Sequence, residues 1–129
     1  MVKTSLVETD IADGRRLIAA LNQLNSHFRV QVAFWLYRPE TMEWRLMVAT
    51  SLVDQTGLFS TYSEIQGVLR SMAPPLAISM QDISVVSPND KLVKVMKKAG
   101  HIPPGAPGLR FGRSRVDDTY VEDAYMYRV

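Results

Sequence analysis

The sequence predicts an α+β fold with about five strands in a mixed, largely antiparallel sheet and three helices. Three observations predict it. Segments with helical spacing of apolar residues alternate with segments of strand-like, two-residue periodicity. Two pairs of strand-like segments are joined by short turns, which requires antiparallel hairpins, and two strand-helix-strand steps are typical of right-handed parallel crossovers. We expect the order α-β-β-α-β-α-β-β, with residues 1–129 forming one domain.

The first helix is predicted from about residue 10 to residue 27. Asp10 resembles an N-cap with an acid, Asp13, at the third helical position. The apolar residues that follow recur at helical spacing: Ile18, Leu21, Leu24 and Phe28.

A hairpin follows, made of the segments VQVAFWLY and EWRLMVATS joined by RPETM. Its first strand is apolar on both faces, so we expect it to lie centrally in the sheet. In the second strand, Trp44, Leu46 and Val48 alternate with Glu43, Arg45 and Met47.

Two more helices and a short strand complete the middle of the chain. Thr61 to Glu64 spells T-Y-S-E, a capping-box pattern, and Pro74 and Pro75 end that helix near Ala73. A short strand begins at Asp82. The third helix is expected to have Ser87 as its cap, with Pro88 and Asp90 at its first and third positions and Gly100 just past its end.

The last two segments, LRFGRSRV and TYVEDAYMYRV, predict a hairpin that turns at Asp117 and Asp118. The resulting register places Phe111 opposite Ala124, Arg113 opposite Glu122 and Arg115 opposite Tyr120. The preceding stretch, HIPPGAPGLRFGR, is rich in glycine and proline. It follows a helix instead of preceding one and lacks the GK[ST] of a phosphate loop, so we interpret it as a stiff connection.

Composition excludes several classes of function. No apolar run is long enough to cross a bilayer, so we expect no membrane association. The chain has no cysteine and two histidines, which excludes a standard structural zinc site without carboxylate ligands and favours the cytoplasm over secretion. No catalytic motif is present, so catalytic residues are not assigned, and we expect neither a resident metal nor a cofactor.

Charge is distributed unevenly along the chain. Residues 91–115 contain seven Lys or Arg and no acid, whereas residues 116–129 contain four acids and one Arg. The basic block offers a cationic patch on the third helix and the next strand, formed by Lys94, Lys97, Lys98, Arg110, Arg113 and Arg115. The alternative is that the lysines only solvate a helix face while the arginines pair with neighbouring acids.

Two further groups are candidates for a site. Tyr125 and Tyr127 should share a face with Asp123 and, across the hairpin, Arg110, which would give a polar-aromatic surface. The acids Asp117, Asp118, Glu122 and Asp123 resemble Mg²⁺ ligands, but Glu122 and Asp123 should point to opposite faces of their strand.

These features favour a protein that binds another macromolecule, either a partner protein or a second copy of itself, through a sheet edge or the terminal hairpin. A binder of nucleic acid or phosphate that uses residues 91–115 is the second hypothesis. An enzyme is the third, either a small metal-assisted hydrolase or one that uses Arg110, Asp123 and Tyr125 on a small molecule.

Overall fold

The computed structural model describes residues 3–24 and 27–129. Five strands form one sheet, accompanied by three longer helices and one short helix, which confirms the predicted fold class and element order. The elements in chain order are α1 (Glu8–Leu24), β1 (Val32–Arg38), β2 (Glu43–Ala49), α2 (Leu52–Thr56), α3 (Leu58–Ser71), a 3-10 turn (Met80–Asp82), β3 (Ile83–Val86), α4 (Lys91–Ala99), β4 (Gly108–Val116) and β5 (Thr119–Tyr127). In the described part of the chain, no helix is both long and apolar enough to cross a membrane.

The strands lie in the order β3-β2-β1-β5-β4. Only β2 and β3 are parallel, and the other neighbours are antiparallel, as expected for a mixed sheet. The first predicted parallel crossover, from β2 to β3, is therefore confirmed. The second is wrong, because β4 lies at the opposite edge from β3 and runs against it. The chain crosses the sheet there because β4 forms a tight hairpin with β5, and β5 pairs with the free side of β1.

The sheet separates two apolar layers. On one side, here called the α1 face, the core contains side chains from α1 and α3 together with Trp35, Leu46 and Tyr127. On the other side, the α4 face, Val93 and Met96 pack on the sheet. Residues 32–36 of β1 are all buried, which confirms the prediction of a central strand that is covered on both faces.

Two of the predicted helix starts are wrong, because both helices begin before the residue that was predicted to cap them. Helix α1 begins at Glu8, and the Asp10 carboxylate accepts a hydrogen bond from the Val7 N–H within the first turn, 3.0 Å away. Helix α3 begins at Leu58, and the Thr61 hydroxyl donates to the Gly57 carbonyl at 2.8 Å, so the T-Y-S-E pattern lies inside the helix.

The start of the third predicted helix is also displaced. Ser87 to Asp90 form a turn, and α4 begins at Lys91 with Asp90 as its N-cap. The Asp90 carboxylate accepts from the Leu92 N–H at 2.9 Å. The predicted end at Gly100 is confirmed. The predicted end of α1 extends over residues 25 and 26, which lie outside the described residues, and α1 itself ends at Leu24.

A buried polar chain fixes the end of β5 to α1. The Trp35 indole N–H donates to the Tyr127 hydroxyl at 2.8 Å, and that hydroxyl donates to the Ile11 carbonyl at 2.8 Å. Gly14 lies against this hydroxyl, and a Cβ at that position would overlap the Tyr127 side chain. Glycine is therefore required here because α1 approaches the sheet closely.

The stretch rich in glycine and proline connects α4 to β4, as predicted. The Arg128 guanidinium holds it by donating to backbone carbonyls of the loop, including that of Ala106 at 2.6 Å. The backbone N–H of Arg128 also donates to the Pro107 carbonyl at 3.0 Å. Residues 101–107 therefore form a connecting loop between α4 and β4 that hydrogen bonds from Arg128 hold in place.

Candidate functional site

A cavity of about 390 Å³ lies on the α1 face of the sheet, at the end that the helices do not cover. Residues of the N-terminal segment border it, and the Lys3 carbonyl attaches this segment to β2 by accepting from the Trp44 N–H at 2.7 Å. The volume is within the range of small-ligand pockets. The residues that line the cavity are Thr4, Ser5, Leu6, Tyr37, Trp44, Arg110, Arg113, Glu122 and Asp123.

Arg110 is fixed in this cavity from two sides. Its Nε and Nη2 donate to the two carboxylate oxygens of Asp123 at 3.1 and 2.9 Å, a two-pronged pairing. Its guanidinium also lies 5.3 Å from the centre of the Trp44 ring, in the geometry of a cation–π contact. The hydrogen bond to Asp123 raises the pKa of Arg110 further above its ordinary value. The cavity therefore contains a permanently charged, immobilised planar cation.

The strand pair is irregular beside Arg110. The predicted register of the hairpin is confirmed at Phe111↔Ala124 and Arg115↔Tyr120, but the ladder omits a pair at Arg113, where φ is 51°. Asp117, in the turn, also has a positive φ of 55°, as the prediction of a tight turn at the two aspartates requires.

The irregularity changes which residues of β5 share a surface. Val121 and Ala124 both pack in the α4-face core, although they are three positions apart and a regular strand would point them to opposite faces. Glu122 and Asp123 both border the α1-face cavity, so the expectation that they point to opposite faces is wrong. A left-handed residue in the partner strand is the local cause, since it disrupts the pleat.

The polar-aromatic surface predicted on β5 is only partly assembled. Arg110 lies opposite Tyr125 in the ladder and contacts Asp123, and the rings of Tyr125 and Tyr127 meet edge to face at 5.1 Å. Neither tyrosine lines the cavity. The Tyr125 hydroxyl accepts from Arg15 at 3.2 Å, and Tyr127 is buried in the core. Of the predicted trio Arg110, Asp123 and Tyr125, only the first two meet in the cavity.

The basic block is divided between the two faces of the sheet. Lys94, Lys97 and Lys98 lie exposed on α4, whereas Arg110 and Arg113 border the cavity on the α1 face. Arg115 lies over the Tyr120 ring at 5.9 Å. The six cations therefore do not form one continuous patch.

Acids accompany much of the basic block. Lys98 pairs with Asp117 at 3.1 Å, and Lys91 pairs with Asp118 at 3.0 Å. The hydrogen bond from Lys91 lowers the pKa of Asp118 below its ordinary value. Among the residues that the structure describes, no three His, Asp or Glu side chains come together as metal ligands.

Several residues at the cavity were not among the candidates from the sequence. Tyr37 and Trp44 form its aromatic wall, with ring centres 5.4 Å apart. The register of the hairpin of β1 and β2 places Tyr37 opposite Trp44, and this pairing is the sequence signal that could have identified them. The N-terminal segment carries no periodicity, so its place over the sheet had no signal in the sequence.

Comparison of the chain with protein-family models, with curated proteins and with solved structures found no match.

Proposed function

We propose that this chain is a cytoplasmic protein-binding domain that pairs the outer edge of β4 with an extended, acidic segment of a partner protein. The observation that carries the proposal is the position of β4. It is nine residues long and lies at the end of the sheet, with β5 as its only strand neighbour in the described chain. Addition of a strand to such an edge is a common mode of peptide recognition.

Charge favours an acidic partner over a second copy of this chain. β4 carries Arg110, Arg113 and Arg115, and an antiparallel pairing of two β4 strands would bring arginines of both copies close together. Arg113 is exposed and makes no ion pair within the described residues. A carboxylate of the bound segment would supply its missing partner.

The same strand limits the length of the contact. The left-handed φ of Arg113 interrupts the edge, and the Gly112 carbonyl already accepts from the Ser114 hydroxyl at 3.0 Å. Pairing is therefore expected along Gly108–Phe111, before the irregularity. The cavity beside Arg110 and Trp44 would receive one side chain of the partner, which supplies specificity that backbone pairing lacks.

A labelled synthetic peptide of alternating valine and glutamate tests this proposal by fluorescence anisotropy. We expect binding in the micromolar range, weaker at high salt, and at least tenfold weaker for the Arg113→Glu variant. Arg70→Glu is the matched control, because Arg70 is an exposed arginine on α3, and it should bind as the unsubstituted protein does.

Other outcomes separate the alternatives. Equal binding of a valine–lysine peptide, or unchanged binding by Arg113→Glu, would contradict recognition at this edge. Light scattering should give the mass of one chain, and a dimer mass would favour self-association instead. Salt-dependent binding of a DNA or RNA oligonucleotide that is lost when Lys94 and Lys97 are replaced would favour the nucleic-acid hypothesis.

A further inference from the structure

The two edges of the sheet differ in what their outer backbone groups bind. At the β3 edge, the Tyr62 hydroxyl accepts from the Val85 N–H at 2.8 Å. The Arg45 guanidinium donates to the Ile83 carbonyl at the same edge, at 3.0 Å. Native proteins protect in such ways the edges that must not pair with another strand. Along Gly108–Phe111, no side chain or loop of the described chain binds the outer backbone groups of β4.

Hydrogen bonding at the start of β4 determines which of its backbone groups face outward. The backbone N–H of Arg128 donates to the Pro107 carbonyl, and the register of β4 and β5 places these two residues directly opposite each other. In an antiparallel ladder, such pairs alternate with pairs whose N–H and C=O groups point away from the neighbouring strand. The outward groups therefore belong to Gly108 and Arg110. The next carbonyl of this series, at Gly112, agrees with the pattern because it accepts from a side-chain hydroxyl.

The side chains beside these outward groups differ between the two faces of the sheet. Arg110 lies on the α1 face, where it borders the cavity. Gly108 is in the same row, and the Tyr125 hydroxyl occupies the space into which a side chain at Gly108 would project. Leu109 points to the α4 face, where Phe111 packs against the apolar core. A strand added to β4 would therefore meet a cation and an aromatic ring on one face and apolar side chains on the other.

We propose that the partner segment runs antiparallel to β4 and has an acidic, a β-branched apolar and an aromatic residue, in that order, opposite Arg110, Leu109 and Gly108. This inference rests on the proposed function and specifies the partner that it requires. Antiparallel pairing is favoured because it is slightly more stable per residue than parallel pairing.

Each of the three partner residues has a physical reason. The acidic residue accepts from Nη1 of Arg110, because Nε and Nη2 already donate to Asp123. The β-branched residue packs beside Leu109 on the apolar face. The aromatic residue covers the bare backbone of Gly108 and contacts the Tyr125 ring, as aromatic residues do opposite glycines at sheet edges.

Amide hydrogen exchange of the free protein, followed by NMR, tests the alternation without any peptide. The Arg110 amide should exchange about tenfold or more faster than the amides of Leu109 and Phe111, which donate to β5. A peptide with glutamate–valine–tyrosine at its centre and threonines on both sides should then slow the Arg110 amide by about tenfold. A slow Arg110 amide in the free protein would overturn the inference and leave the proposed function standing.

N-methylated forms of this peptide locate the hydrogen bonds by fluorescence anisotropy. Methylation of the glutamate nitrogen removes the N–H that donates to the Arg110 carbonyl, so it should weaken binding about tenfold. Methylation of the valine nitrogen is the matched control, because that N–H points away from β4, and binding should stay within about twofold. The reversed triplet, tyrosine–valine–glutamate, should bind about tenfold more weakly, and alanine in place of tyrosine should weaken binding about threefold.

The peptide results separate the inference from the proposed function. Tighter binding of the reversed triplet, a large loss on methylation of the valine, or no loss on replacement of the tyrosine would overturn the inference alone, provided that the valine–glutamate peptide still binds. Failure of every peptide to bind, in a protein whose Arg110 amide exchanges rapidly, would overturn both.

Discussion

The two halves of β5 differ in almost every physical respect. From Ala124 to Tyr127 the strand is largely buried, pairs with β1 and β4, and is fixed to α1 through the Tyr127 hydroxyl. From Thr119 to Asp123 it pairs with β4 alone, borders the cavity beside Arg110 and loses its regular alternation. We call these the anchored half and the open half.

The difference between the anchored half and the open half indicates which part of the fold is available for binding. The anchored half has two strand neighbours and a helix above it, so each of its polar groups has a fixed partner inside the protein. The open half has one strand neighbour, and its surroundings contain charged groups such as Arg110 and Arg113. Substitutions in or against the anchored half should therefore change stability, whereas those at the open half should change binding.

The largest effect is expected for Gly14→Ala. The added methyl group would overlap the Tyr127 side chain, which is held by two buried hydrogen bonds and has no room to move. We expect a loss of about 3 kcal/mol in the free energy of unfolding, measured by urea denaturation.

Gly67→Ala is the matched control for this substitution. Gly67 is also inside a helix, but a Cβ there meets nothing within 4 Å. Alanine should stabilise the protein at this position by about 0.5–1 kcal/mol, because glycine has the lower helix propensity. If both alanine variants shift stability in the same direction, the close approach of α1 to β5 is not the reason for glycine at position 14.

Tyr127→Phe should have the next largest effect. It leaves the Trp35 indole N–H and the Ile11 carbonyl without their buried partner, which we expect to cost about 2 kcal/mol. The corresponding change in the open half, Tyr120→Phe, removes an exposed hydroxyl and should stay within about 0.5 kcal/mol. Similar losses in thermal or urea unfolding for the two variants would show that the two halves do not differ in this way.

Alkaline pH should weaken the anchored half through the same hydroxyl. Burial raises the pKa of Tyr127, so the folded protein keeps this proton while an unfolded tyrosine loses it near pH 10. The contribution to stability is complete below about pH 10 and falls as pH rises further, by up to about 1.4 kcal/mol per unit. The stability difference between the unsubstituted protein and Tyr127→Phe should therefore shrink from about pH 9 to about pH 11. A constant difference over that range would contradict the assignment.

Sequence patterns predicted the strands and the hairpin register better than the surroundings of the open half. The uninterrupted apolar run of β1 and the turn at Asp117 and Asp118 are local signals, and they were sufficient for the central strand and for the hairpin register. The starts of α1 and α3 were missed because the residues that precede them, Val7 and Gly57, carry no capping side chain that the sequence could show.

The candidate sites were less predictable because they depend on contacts between distant segments. Arg110 and Asp123 were found, since the hairpin register alone brings them together. Trp44 and the N-terminal segment were missed because they lie far from Arg110 in the sequence. Only the order of the strands in the sheet brings them close to it. The left-handed φ of Arg113 had no signal either, because arginine has no preference for that conformation.

The smallest effect on stability, and the sharpest one on binding, is expected for Asp123→Asn. Its ion pair with Arg110 is partly exposed, with side-chain exposures of 34% and 48%, so its loss should cost less than about 0.5 kcal/mol. The substitution also removes the carboxylate that neutralises Arg110, which frees the guanidinium for a carboxylate of the partner segment. The valine–glutamate peptide should then bind about three- to tenfold more tightly at low salt. Asp117→Asn removes the pair with Lys98 on the other side of the sheet and should leave binding unchanged. Weaker peptide binding by Asp123→Asn would mean that the carboxylate serves mainly to hold Arg110 in position, and that Arg113 alone receives the acidic partner.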